Sequence, residues 1–214
     1  MNLDIKNYVY KGKFIESDVC DNIKEMLDDE MTWKAFPKDE INAYETKKTT
    51  DGIDGSTLSV DWSDLFSGQD FAGLEENYSV ALLQNQKSLE TLRDNLKTGL
   101  DFYIKEHLKD LPWYNFYRGF TDPKFIKYKQ TNDMMNHCDH VKYIFDGERK
   151  GIPTVSMVGS LGEEYEGGYL RFWDQEDFYL GKGEVVFFPS NFLYPHRVTE
   201  ITKGVRYTFV SWVY

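Results

Sequence analysis

The sequence predicts a mainly β fold: an all-β barrel or jelly roll in the second half, with N-terminal helices packed against one sheet. Two observations carry this. From Trp113 onward, short β-rich runs follow one another, separated by turns such as Gly167-Gly168, Gly181-Lys182-Gly183 and Thr202-Lys203-Gly204. Many short strands at such spacing point to a closed or two-sheet antiparallel architecture. The chain also carries 15 Tyr, 15 Phe and 5 Trp, side chains that suit a pleated, half-buried surface. With 214 residues it can bury a sizeable core as one domain. We expect a single domain over 1–214, with 1–112 as helical and irregular support and 113–214 as the jelly-roll core.

The elements follow in order. Asn7 to Phe14 reads as a short strand. Ser17 can cap a helix to about Asp29, with Val19, Ile23, Met26 and Leu27 at helical spacing. Residues 37–78 are polar and glycine-bearing, with little periodicity. Residues 79–109 read as one long helix, with Leu89, Leu92, Leu96 and Tyr103 on one face. His107 near its end complements the helix dipole. Strands are then expected at Phe125–Lys129, His137–Phe145, Thr154–Ser160, Tyr169–Trp173, Glu184–Pro189, His196–Ile201 and Val205–Val213.

The bulk properties narrow the function. A formal net charge of −11 argues against a nucleic-acid or anionic-membrane surface. Two cysteines, Cys20 and Cys138, are too few for a disulfide framework. No apolar run approaches the roughly 18 residues that span a bilayer, and the N-terminus lacks the layout of a secretion signal. A soluble, cytoplasmic protein is expected.

The chemistry concentrates in His137-Cys138-Asp139, a later His196, and Arg206. Alternation on a strand would point His137 and Asp139 the same way, about 7 Å apart along the strand. Cys138 then faces the core. Two imidazoles and one carboxylate form the ligand set of a non-haem iron(II) site with open positions, although imidazole suits copper, nickel and zinc as well. Arg206, Thr208 and Val210 share one face of the last strand, reached from His196 through the turn at 202–204. An arginine fork can clamp a carboxylate, and Thr208 can add a hydroxyl bond. Val205, Tyr207, Phe209 and Val213 around Arg206 indicate a buried strand, where an arginine needs an anionic partner.

Residues 125–212 resemble the Fe(II)- and 2-oxoglutarate-dependent dioxygenases, specifically the prolyl-4-hydroxylase-like branch. The resemblance rests on Phe125-Ile-Lys-Tyr128 with His137-Cys-Asp139, on Tyr165-Glu-Gly-Gly-Tyr-Leu170, on Gly183-Glu-Val-Val-Phe-Phe-Pro-Ser190, and on His196 through Arg206. It implies a double-stranded β-helix. It implies that His137, Asp139 and His196 hold Fe(II), and that Arg206 binds 2-oxoglutarate with help from Tyr128 and Thr208. It implies O2 as oxidant, ascorbate as an accessory reductant, and hydroxylation of an aliphatic carbon with succinate and CO2 as coproducts. A peptidyl proline leads as substrate. A free amino acid, a lysyl side chain or a small metabolite is the alternative, and a non-catalytic metal- or ligand-binding jelly roll is the rival from another class.

Particular residues refine the resemblance. Collagen-type members carry lysine where this chain has Arg206. Related halogenases carry a small residue where it has Asp139. Nucleic-acid demethylases carry a second arginine where it has Trp212. The lead-in after Tyr128 lacks the glycine frequent in the branch. Tyr165, Tyr169 and Trp173 could line a substrate pocket or simply pack the sheets.

Overall fold

The computed structural model describes residues 4–29, 34–35, 58–61, 76–114, 117–139 and 152–214. Most of residues 37–78, and His140 with the rest of the strand expected to reach Phe145, lie outside these. A 3-10 turn at Ile5–Tyr8 and strand β1 (Tyr10–Lys13) occupy the stretch where the sequence suggested one strand. Helix α1 spans Ser17–Asp29 and buries Val19, Cys20, Ile23, Met26 and Leu27. Helix α2 spans Glu76–His107 and buries Leu89, Leu92, Leu96, Leu100 and Tyr103. Its last residue, His107, stacks on Tyr10 with ring centroids 4.0 Å apart. Burial lowers the His107 pKa, so its role is that of a neutral packed ring rather than a cation complementing the helix end.

The remaining strands are β2 (Lys34–Ala35), β3 (Leu58–Asp61), β4 (Lys124–Tyr128), β5 (Met134–His137), β6 (Val155–Ser160), β7 (Tyr165–Gly167), β8 (Leu170–Phe172), β9 (Glu176–Phe178), β10 (Glu184–Pro189), β11 (His196–Val198), β12 (Ile201–Gly204) and β13 (Arg206–Val213). They form a seven-stranded sheet in the order β1-β10-β6-β13-β4-β3-β2, a four-stranded sheet β5-β11-β8-β9 and a two-stranded pair β12-β7, all antiparallel. This is the double-stranded β-helix arrangement, with β1 to β3 from the N-terminal half extending the large sheet.

Alternation sorts the large sheet between two cores. Val185, Phe187, Tyr207, Phe209 and Val213 face one way and pack with the α1 and α2 side chains. Val186, Phe188, Val210, Ile126 and Tyr128 face the other way, toward Leu170, Phe172 and Val198 of the smaller sheet. The second core is the inside of the sandwich, where the polar exceptions lie: Asp139, Ser156, Ser190, His196 and Arg206 are all buried. Among the described residues no helix is long and apolar enough to cross a membrane.

Candidate metal centre

β5 and β11 are neighbours in the smaller sheet, and His137 stands directly opposite His196. Cross-strand partners project to one face, so the imidazoles meet with ring centroids 4.4 Å apart. His137 Nδ1 lies 2.8 Å from the Met135 carbonyl, and His196 Nδ1 lies 3.1 Å from the Tyr194 carbonyl. A carbonyl only accepts, so each Nδ1 carries the hydrogen and each Nε2 offers its lone pair. Asp139 completes the group, although not from the strand position that alternation predicted. β5 ends at His137, and Asp139 sits in a bend beyond it. Its Oδ1 lies 3.4 Å from His137 Nε2 and 3.6 Å from His196 Nε2. The three residues offer ligand atoms that all lie within 4.8 Å of one another. Cys138, between the two ligands, is half-buried rather than a core thiol.

The electrostatics suit a cation. Burial pushes His196 down to about 4, which keeps it in the neutral, ligating form at neutral pH. Burial also works against charge on His137, but the Asp139 carboxylate outweighs it and raises that pKa. Burial alone would raise Asp139. The neighbouring His196 and His137, with a hydrogen bond from Ser156, hold it well below the usual carboxylate range. Two imidazole nitrogens and one ionised carboxylate oxygen fit Fe(II).

The opposite wall is the large sheet. Arg206 opens β13 and pairs with Tyr128 of β4. Its guanidinium carbon lies 5.3 Å from the Tyr128 ring centroid and 5.8 Å from that of Tyr165. Arg206 is 0% exposed, and its Nε, Nη1 and Nη2 have no hydrogen-bond partner among the described residues. A buried cation without an anion is costly, so this guanidinium fits a carboxylate arriving from outside the protein. Burial pushes the Tyr128 hydroxyl up to about 12, which leaves it a protonated donor beside the guanidinium. Thr208 plays a different part from the one expected: its hydroxyl donates to the Gly159 carbonyl within the sheet, so its single hydrogen is not offered to a ligand. The turn expected at 202–204 is strand β12, paired with β7, so His196 and Arg206 stand on different sheets rather than on one hairpin.

Two local features support this geometry. Gly168 adopts φ +61°, and a Cβ there would lie 2.4 Å from Ile201 Cδ1 and 3.1 Å from Arg206 Cδ. Gly168 therefore makes room for the arginine stem. After Tyr128 the turn is made by Thr131 at φ +73°, a left-handed conformation that β-branched residues rarely adopt. The Asn132 side chain accepts from Lys129 N at 2.8 Å, and Thr131 N donates to the Ile201 carbonyl at 2.9 Å. These bonds replace the missing glycine. Tyr165 is buried and donates to the Leu180 carbonyl at 2.6 Å. Trp173 donates through Nε1 to the Leu193 carbonyl at 2.8 Å, and Tyr169 is 38% exposed. Sequence reasoning missed Ser156, Ser190 and Trp212, which gather around Asp139 from the large sheet.

Residues 123–214 match the family described as the 2OG-Fe(II) oxygenase superfamily. The chain is similar to a PKHD-type hydroxylase of Aliarcobacter butzleri, 29% identical over 163 residues that make up 72% of this chain and 68% of the relative. Its fold is similar to that of a prolyl hydroxylase from Trichoplax adhaerens, solved with a peptide fragment of the hypoxia inducible factor oxygen degradation domain. That likeness has a TM-score of 0.62 at 13% identity and covers 97% of this chain and 84% of the other. It is also similar to the viral collagen prolyl hydroxylase of Paramecium Bursaria Chlorella virus-1, solved as a 2OG complex. There the TM-score is 0.57 at 13% identity, covering 96% and 94%. With the ligand set on one sheet and, on the other, a guanidinium unpartnered among the described residues, residues 123–214 are similar to the 2OG-Fe(II) oxygenase superfamily, and the fold of the chain is similar to that of prolyl hydroxylases.

Proposed function

We propose that the protein hydroxylates an aliphatic C–H bond, with a peptidyl proline as the leading substrate and succinate and CO2 as coproducts. The observation that carries this reading is the buried Arg206 on one sheet, unpartnered among the described residues, together with the His137, Asp139 and His196 cluster on the other. In this reading the two Nε2 atoms and Asp139 Oδ1 hold Fe(II). Arg206 and Tyr128 hold the far carboxylate of 2-oxoglutarate through charge-assisted bonds. When bound, the iron and 2-oxoglutarate supply an oxidative decarboxylation that activates O2 for hydroxylation. The protein's own work is to orient and to exclude water. His137 and His196 are locked in the ligating tautomer by their carbonyl partners. Phe172 and Phe188 flank the His196 ring at centroid distances of 5.5 and 4.8 Å, which keeps that wall dry.

An extended peptide suits the entrance. Phe192 and Leu193, 68% and 45% exposed, lie on the segment leading into His196, where Trp173 is hydrogen-bonded. Exposed apolar side chains at a site mouth favour an apolar, ring-bearing target. The prolyl hydroxylase of Trichoplax adhaerens, which this fold resembles, was solved with a peptide fragment.

The test is succinate formation from 2-oxoglutarate with Fe(II), ascorbate and air, with and without proline peptides. Peptide-stimulated succinate that is lost on chelation and in His196→Ala supports the reading. Turnover stimulated by free amino acids but not by peptides would move the substrate class. Undiminished activity in His196→Ala would sink the site assignment.

A further inference from the structure

The two oxygens of Asp139 have unlike surroundings. Oδ1 faces the Nε2 atoms of both histidines at 3.4 and 3.6 Å. Oδ2 turns to the large sheet, where Ser156 Oγ lies at 2.6 Å and Trp212 Nε1 at 3.1 Å. An indole N–H only donates, and an ionised carboxylate only accepts. The single Ser156 hydrogen therefore goes to Oδ2. That fixes the direction of the neighbouring contact: Ser190 Oγ, 2.7 Å from Ser156 Oγ, must be its donor. Ser156 and Ser190 are 0% and 1% exposed, so water does not compete for these bonds. The pairing register explains the convergence. Trp212 of β13 is the cross-strand partner of Ser156 of β6, so adjacent strands present both donors on one face.

We infer that Ser156 and Trp212 are positioning residues that occupy Oδ2 and so hold Asp139 to the metal through Oδ1 alone, with Ser190 aiming the Ser156 hydrogen. The inference rests on the metal-centre reading above. A carboxylate can bind a cation with one oxygen or with both. With single-atom binding by all three side chains, half of an octahedral shell stays open. A second Asp139 oxygen would take one of the positions that a chelating cosubstrate and O2 need. Hydrogen bonds to the outer oxygen of a ligand are a general means of setting its geometry. Trp212, which replaces the second arginine of the nucleic-acid branch, thereby has a definite task.

The experiment counts exchangeable waters on the Mn(II)-loaded protein by water-proton relaxation. It compares wild type with Trp212→Phe, Ser156→Ala and the double variant, which remove the donors while nearly preserving shape. Ser156→Thr, which keeps the hydroxyl, is the conservative rescue, and His196→Ala is the control for the site itself. The water count should fall in each single variant and reach one fewer than wild type in the double variant. In Ser156→Thr it should return to the wild-type value. Loss of fold in one variant leaves the other to decide. A wild-type count in both Trp212→Phe and Ser156→Ala overturns the inference. Mn(II) affinity indifferent to His196→Ala shows that the metal centre is elsewhere and takes the inference with it, a failure visible in the affinity rather than in the water count.

Discussion

Replacing Arg206 with methionine separates the clamp from the fold. Methionine keeps most of the length and the apolar stem, which lies against Gly168, and deletes the charge. In the ligand-free protein that charge is 0% exposed with three nitrogens unpartnered among the described residues. An uncompensated buried charge costs several kcal/mol, so its removal should leave the free energy of unfolding unchanged or raise it by about 1–3 kcal/mol. Binding should respond in the opposite sense. A carboxylate seated where its buried cation is missing loses about 3–5 kcal/mol, or on the order of a hundred- to a few-thousandfold in Kd. The assay is anaerobic calorimetry of 2-oxoglutarate on Mn(II)-loaded protein, paired with thermal unfolding. At a ligand concentration about a hundred times its Kd, wild type should gain about 2.7 kcal/mol. A variant weakened about a hundredfold should gain only about 0.4 kcal/mol at the same concentration. Binding by Arg206→Met within about threefold of wild type, or a large loss of ligand-free stability, would refute the reasoning.

Two further outcomes test the packing. Gly159 is the cross-strand partner of Phe209, and a Cβ there would lie 2.1 Å from Phe209 Cζ. Gly159→Ala should therefore overpack the helix-side core by about 1–3 kcal/mol and lower Tm by several degrees. A wild-type Tm would show that Phe209 has room to shift. Asp28, at the end of α1, accepts from Lys127 Nζ at 2.7 Å and from the Tyr207 hydroxyl. Partial burial opposes its ionisation, but these donors outweigh it and lower the Asp28 pKa. A lowered folded pKa stabilises above the unfolded value, near 3.9, and that stability is lost as pH falls through the folded value. Asp28→Asn should thus be less stable than wild type at pH 7, by no more than about 1 kcal/mol for so exposed a group. The gap in denaturant midpoints should close in acid; a gap of equal size at both ends would contradict the assignment.

The strongly patterned elements were legible. Ser17 and the apolar spacing after it marked α1, and the run Glu184–Pro189 between glycine-bearing turns marked β10, because burial on both faces leaves a continuous apolar string. The grouping of His137, Asp139 and His196 and the burial of Arg206 beside Tyr128 were legible through motif order. The Asp139 bend was not, since alternation assumes that the strand continues. β12 was read as a turn because three of its four residues are exposed and polar; its pairing with β7 is a long-range fact. The Thr208 hydroxyl could not be assigned from sequence, because a threonine on a buried strand can serve a ligand or its own sheet equally well. Ser156 carries no motif, Ser190 entered only as the end of a strand motif, and Trp212 only as the position of an absent arginine. Ser156 and Trp212 meet Asp139, and Ser190 meets Ser156, because β6, β10 and β13 lie side by side.

The His137 and His196 imidazoles and the Arg206 guanidinium hang from different sheets, and under the proposed function this makes the interior a ruler. A small dicarboxylate held at both ends must match the gap between the sheets. That gap is filled by Ile126, Val158, Val186, Phe188 and Val210 from one side and by Leu170, Phe172 and Val198 from the other. Close-packed interiors feel a volume change of even a methylene, so the packing of these side chains sets the thickness of this layer. If a 2-oxo diacid spans this gap as proposed, a volume change in the sandwich should retune the chain length that the site prefers.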